Sequence, residues 1–178
     1  MTPTPGWKAG LAEEIAALFS PAYYTAYAAA SRYAAGLLAR SLEELASGPA
    51  CAPHMEPVLA WGRRFIAALP GPRQERPTDP FLTEGLPLLE LAAATWPGVL
   101  RGEVDGLVAL FRGERITYWE RYFSPGHTLY DVHNRLGAAV AAALLEPGQV
   151  VLELGAGLGS AARSEEHTSE LQSQFHLV

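Results

Sequence analysis

A single cysteine, Cys51, is all that the 178 residues hold. A disulfide within one chain is therefore impossible, and a reducing cytoplasmic setting fits. On its own, Cys51 suits a small buried or partly buried side chain better than a nucleophile. Positive charge is scarce as well: 13 Lys and Arg stand against 19 Asp and Glu, for a formal net charge of −6. That balance leaves no electrostatic footprint for nucleic acid or for an anionic membrane surface. The opening stretch, Met1-Thr2-Pro3-Thr4-Pro5-Gly6-Trp7-Lys8, lacks the apolar core of a signal peptide. No hydrophobic run reaches membrane-spanning length, because Arg32 and Arg40 interrupt the most alanine-rich part. No internal repeat is visible, and no metal site is expected.

What is plentiful is alanine, leucine, glycine and proline, a mixture that favours short helices separated by breaks. Apolar side chains at Trp7, Leu11, Ile15, Leu18 and Phe19 fall at the three-and-four spacing of one helix face. Ser20-Pro21 ends that helix and starts the next, with Ser20 as N-cap and Pro21 at the first helical position. The second helix is expected from Pro21 to about Ala46, closed by Ser47-Gly48-Pro49. Its tyrosines, Tyr23, Tyr24 and Tyr27, read as amphipathic core with hydroxyls at the rim rather than as a substrate pocket. A third helix is expected over Glu56 to Leu69, with Val58, Leu59, Trp61, Phe65, Ile66 and Leu69 as its apolar stripe, Arg63 and Arg64 on the wet side and His54 in the loop before it.

The segment from Pro70 to Pro80 holds too many prolines for a helix or a central strand and reads as a surface linker. Helical spacing resumes from Leu86 to Ala94, Trp96-Pro97 is expected to break it, and a short helix follows from about Glu103 to Phe111. Helices of this kind must bury their apolar stripes against one another, so residues 1–112 read as a helical N-terminal domain. The dense aromatics of Tyr118-Trp119-Glu120-Arg121-Tyr122-Phe123 serve either as a lid or slot over a ligand or as an anchor of the helical domain onto a following sheet. A last helix spans about Thr128 to Leu145 and ends at Glu146-Pro147-Gly148. His133 and Asn134 lie on it, either toward a ligand cleft or, more plainly for His133, on a solvated flank.

Gln149-Val150-Val151-Leu152-Glu153-Leu154-Gly155-Ala156-Gly157-Leu158-Gly159-Ser160 organises the end of the chain. It reads as a buried strand running into a turn with glycine at alternate positions. Glycines there let the backbone approach a ligand with no Cβ in the way. Glu153 adds a carboxylate that can pair with an amine or accept from a hydroxyl. Gly155-x-Gly157-x-x-Ser160 is a near miss of the dinucleotide fingerprint, so a dinucleotide-dependent oxidoreductase stays open. So does a glycine-rich strand end without a ligand, which would leave the helical part as a docking module.

The E-x-G-x-G-x-G pattern after a V-V-L strand resembles the first motif of class I S-adenosylmethionine-dependent methyltransferases. The stretch Val99-Leu100-Arg101-Gly102-Glu103, the Leu110-Phe111 step and Asn134 are similar to the approach to that motif in polyketide-synthase-type methyltransferase domains. The likeness runs from about Leu86 to Gly159 and weakens over Thr117 to His127. It implies an S-adenosylmethionine cofactor held by Glu153, Gly155, Ala156, Gly157 and Gly159, and a small-molecule or carrier-bound methyl acceptor. It also implies a mainly α chain in which residues 113–162 begin a Rossmann-like methyltransferase domain. Residues 1–80 match no named pattern, and no catalytic residue is assigned. From Arg163 to Val178 the chain is similar to one translated frame of a common sequencing adapter, which implies a genuine frame cut just after Ala162 and a fragment inactive as it stands.

Overall fold

The computed structural model describes residues 10–72, 74–124, 126 and 128–145. Among them the regular structure is helical throughout, with seven α-helices, three short 3₁₀ turns and no strand. The α-helices are α1 (Leu11–Leu18), α2 (Pro21–Ala46), α3 (Glu56–Ala68), α4 (Leu86–Arg101), α5 (Gly106–Phe111), α6 (Ile116–Phe123) and α7 (Leu129–Leu144). The mainly α expectation therefore holds. The strand expected at Val150 to Leu154 lies outside the described residues.

The chain divides into two compact units, one of residues 1–24 with 123–178 and one of residues 25–122. In the first, α1 and α7 pack together, and Leu11, Leu18, Tyr23, Val132, Ala138 and Ala139 are buried. In the second, α4 is the central element, touching α3 and α5. Leu45, Leu59 and Leu100 form a core there, with Leu42, Cys51, Met55 and Trp96 packed against it. The small residue Gly62 makes the α3–α4 approach possible, since a Cβ at that position would run into the Trp96 ring.

Helix starts follow local chemistry. The Ser20 hydroxyl accepts from the Tyr23 amide at 3.3 Å, and Asp105 Oδ1 accepts from the amides of Leu107 and Val108 at 2.9 and 3.2 Å. Thr128 Oγ1 does the same for the Asp131 amide at 3.0 Å. Each cap satisfies a donor that the helix cannot satisfy itself. The described residues of the expected surface linker before Pro80 form no helix, and the segment is tied down. Arg40 donates to the Gln74 side chain, and Arg76 Nε meets Glu90 Oε1 at 2.7 Å.

Two boundaries differ. The short helix expected from about Glu103 begins at Gly106, after the Asp105 cap. The helix expected to stop at Ala94 runs on to Arg101, straight through Pro97. Proline lacks the amide that would bond the carbonyl four residues back, here Ala93. The Ser41 hydroxyl on α2 lies 2.9 Å from that carbonyl oxygen and supplies the missing donor. It also lies 3.1 Å from the Leu37 carbonyl, so one proton serves two acceptors. Pro97 itself is fully buried, so its ring contributes apolar area where it breaks the ladder.

Candidate functional site

The residues with the strongest chemical signature, Glu153, Gly155, Ala156, Gly157 and Gly159, lie outside the described residues. The helix that leads to them is described. α7 begins at the Thr128 cap, and the spacing Thr128-x-x-Asp131 is close to a capping box, with an acidic side chain in the first turn. Thr128, Asp131 and Asn134 are buried, an unusual polar content for a helix face that also carries Val132, Ala138 and Ala139. The Asn134 Nδ2 finds no hydrogen-bond partner among the described residues.

Beside this face, α1 and the first turn of α2 contribute an aromatic cluster. The Phe19 ring meets Tyr23 edge-on at 5.2 Å and His133 at 6.0 Å. The Tyr23 hydroxyl and His133 Nε2 are 3.2 Å apart, with the donor set by the imidazole tautomer. Of the three early tyrosines only Tyr23 is buried; Tyr24 and Tyr27 are more than half exposed. His133 is on a solvated flank, as its helix position suggested, yet it has a partner that sequence spacing did not reveal, because Tyr23 lies 110 residues away.

The V-L-R-G-E stretch has a structural account of its own. It is the stop of α4: Gly102 adopts φ 75°, Gly102 N–H bonds the Val99 carbonyl at 3.0 Å, and Glu103 N–H bonds the Gly98 carbonyl at 2.9 Å. A left-handed glycine with these backward bonds is the standard way to satisfy the last carbonyls of a helix. Leu100 points into the core with no exposure, and Arg101 reaches the Glu44 carbonyl at 3.0 Å. The Arg101 Nε has no partner among the described residues.

Around α6, Trp119 stacks on Phe111 at 4.6 Å and donates from Nε1 to the Leu110 carbonyl at 2.9 Å. Tyr122 lies over Gly85. These two aromatics therefore act as anchors within the second unit. Cys51 is half-buried against the leucine core; its thiol lies 3.5 Å from the Ala52 carbonyl, and burial pushes its pKa up, which disfavours the reactive thiolate. Among the described residues no three His, Cys, Asp or Glu side chains come together as metal ligands, and no helix is long and apolar enough to cross a membrane.

No protein-family model matches the chain, and neither a curated protein nor a solved structure matches it.

Proposed function

We propose that the chain is the N-terminal part of an S-adenosylmethionine-dependent methyltransferase acting on a small or carrier-bound substrate. The observation that carries this reading is the run Glu153-Leu154-Gly155-Ala156-Gly157-Leu158-Gly159, a carboxylate followed by alternate glycines after an apolar stretch. Such a turn can wrap a methionine and ribose with backbone alone, while Glu153 meets the cofactor's ammonium group. The preceding helix, α7, supports it, because a capped helix ending at Leu144, followed in the sequence by Pro147-Gly148, is a fitting lead-in to a first strand.

Methyl transfer from a sulfonium is an in-line displacement in which the protein positions the two reactants and excludes water. The Glu153 to Gly159 run would furnish one wall for the donor.

The test is to read the genomic sequence beyond codon 162 and to express whatever frame continues. Adenosylhomocysteine should raise the thermal midpoint of that longer protein, and Gly157→Val should abolish the shift. Stabilisation by NADH instead would replace this reading with an oxidoreductase, and stabilisation by neither would remove the enzyme reading altogether.

A further inference from the structure

Among the described residues the second unit holds an open pocket of about 540 Å³ in which positive charge is concentrated against the trend of the molecule. Its wall carries three arginines, Arg112, Arg115 and Arg121, and one carboxylate, Glu114, with Tyr118 and Leu91 as its aromatic and aliphatic surfaces. The chain as a whole is acidic, at −6. We propose that this pocket binds the phosphate group of a small organic phosphate, with the organic part lying against Tyr118 and Leu91.

The local architecture explains the clustering. Gly113 turns the chain at φ 66°, a backbone angle that side chains rarely allow, so the residues on either side of it reach one pocket. The Arg115 side chain is fixed by donation from Nη1 to the Ala109 carbonyl at 2.6 Å, and the Thr117 hydroxyl bonds the Glu114 carbonyl at 2.6 Å. On α6, Thr117, Tyr118 and Arg121 fall at three-and-four spacing and so share a face.

The guanidinium groups of Arg112 and Arg121 make no hydrogen bond or ion pair among the described residues. Among the other arginines of the unit, Arg40 is engaged by Gln74, Arg76 by Glu90 and Arg101 by Glu44, while Arg32, Arg63 and Arg64 are also without a hydrogen bond or ion pair among the described residues. What sets Arg112 and Arg121 apart is that they share one pocket with Arg115. Guanidinium is the cation best shaped for two-pronged contact with phosphate oxygens, and a second and third fork around one anion add geometric selectivity. The pocket is larger than an inorganic phosphate, which is why an organic portion belongs in the assignment. Glu114 sets a limit, since its carboxylate opposes any anion that enters.

None of these residues is in the Glu153 to Gly159 motif, so the methyltransferase reading can fail without touching this proposal. The test is isothermal titration of the full chain at low salt with phenyl phosphate, with inorganic phosphate and with phosphatidylserine vesicles. Phenyl phosphate should bind several-fold more tightly than inorganic phosphate. The paired change Arg112→Gln and Arg121→Gln, at exposed positions that leave the helical circular dichroism unchanged, should weaken it by about tenfold or more. Glu114→Gln should tighten it by about threefold, a change that a purely structural role for this side chain would not produce. Equal affinity in the paired arginine variant, no preference for the organic phosphate, or binding to the vesicles alone would each overturn the assignment.

Discussion

The two compact units treat buried polar groups differently. In residues 25–122, hydroxyls inside the fold are matched to definite partners, Ser41 to the Ala93 carbonyl and the Tyr33 hydroxyl to Glu90 at 2.9 Å, with the Arg101 Nε as the unmatched exception. The same Glu90 oxygen takes Arg76, so one carboxylate closes both the core edge and the linker. In the other unit, the buried face of α7 carries Asn134 with an Nδ2 that nothing among the described residues satisfies. A buried polar group without a partner costs free energy, so the second arrangement is stable only where apolar packing outweighs that cost. One unit is thus closed by hydrogen bonds from Ser41, Tyr33 and Arg76, while the other leans on α1 against α7, on the Phe19, Tyr23 and His133 rings and on the single Tyr23–His133 hydrogen bond.

The largest expected effect that would break this contrast is at Leu100. Leu100→Ala removes a side chain with no exposure from the leucine core and should cost about 2–5 kcal/mol. Trp61, Trp96 and Trp119 all belong to this unit, so tryptophan fluorescence in a urea titration reads the loss directly. Hydrogen exchange of α7 in the same variant shows how far the damage spreads. An unchanged fluorescence midpoint would deny Leu100 its central place.

Ser41→Ala comes next. It strips the donor from the Ala93 carbonyl beside Pro97 and should cost roughly 1–3 kcal/mol by chemical denaturation. Ser41→Gly would confuse the test through helix propensity, whereas alanine favours the helix and isolates the hydroxyl. A stability equal to the parent's would mean that the carbonyl finds another donor.

A smaller effect lies in alkaline solution. Burial first, and then the hydrogen bond and charge of Glu90, raise the Tyr33 pKa above its ordinary value of 10.0. A folded pKa above the unfolded one stabilises the protein fully below the unfolded value, and that contribution fades as pH climbs through the folded one. Tyr33→Phe should therefore lose stability at neutral pH and show a flatter decline above pH 10 than the parent. Parallel declines in thermal melts would remove Tyr33 as a cause.

The smallest change has the opposite sign. Asn134→Leu replaces a buried amide whose Nδ2 is unsatisfied among the described residues by an apolar group of similar size. Stability should stay level or rise by up to about 1 kcal/mol. A clear fall in the α7 exchange protection would show that the amide has a structural duty and that the units are more alike than they look.

Much of the helical layout was legible in advance, for a reason visible at particular residues. Ser20-Pro21 marked the start of α2, and the structure begins it at Pro21. Glu56 opened α3 as expected, and Arg63 and Arg64 are exposed on its wet side. Trp61 on the same helix was assigned to the apolar stripe, yet it is half exposed and stacks on Phe65 at 5.5 Å. Periodicity gives the face of a helix to within a residue or so, and a large ring at the border can leave the core by stacking on its neighbour. The phosphate pocket was not legible: Arg112 to Arg121 showed as charge beside aromatics, and only the turn at Gly113 and the placement of Leu91 on α4 bring them around one space.

The sequence alone marked the start of α2, because a cap is made by a side chain and amides two or three residues away, as at Ser20. It also determined that the described part would be helical, through alanine, leucine and their spacing. The tertiary structure alone decided that α4 survives Pro97. The donor that compensates for the proline comes from Ser41, 52 residues from the carbonyl it serves. A break in a helix is a local property of the chain; its repair depends on what folding brings alongside.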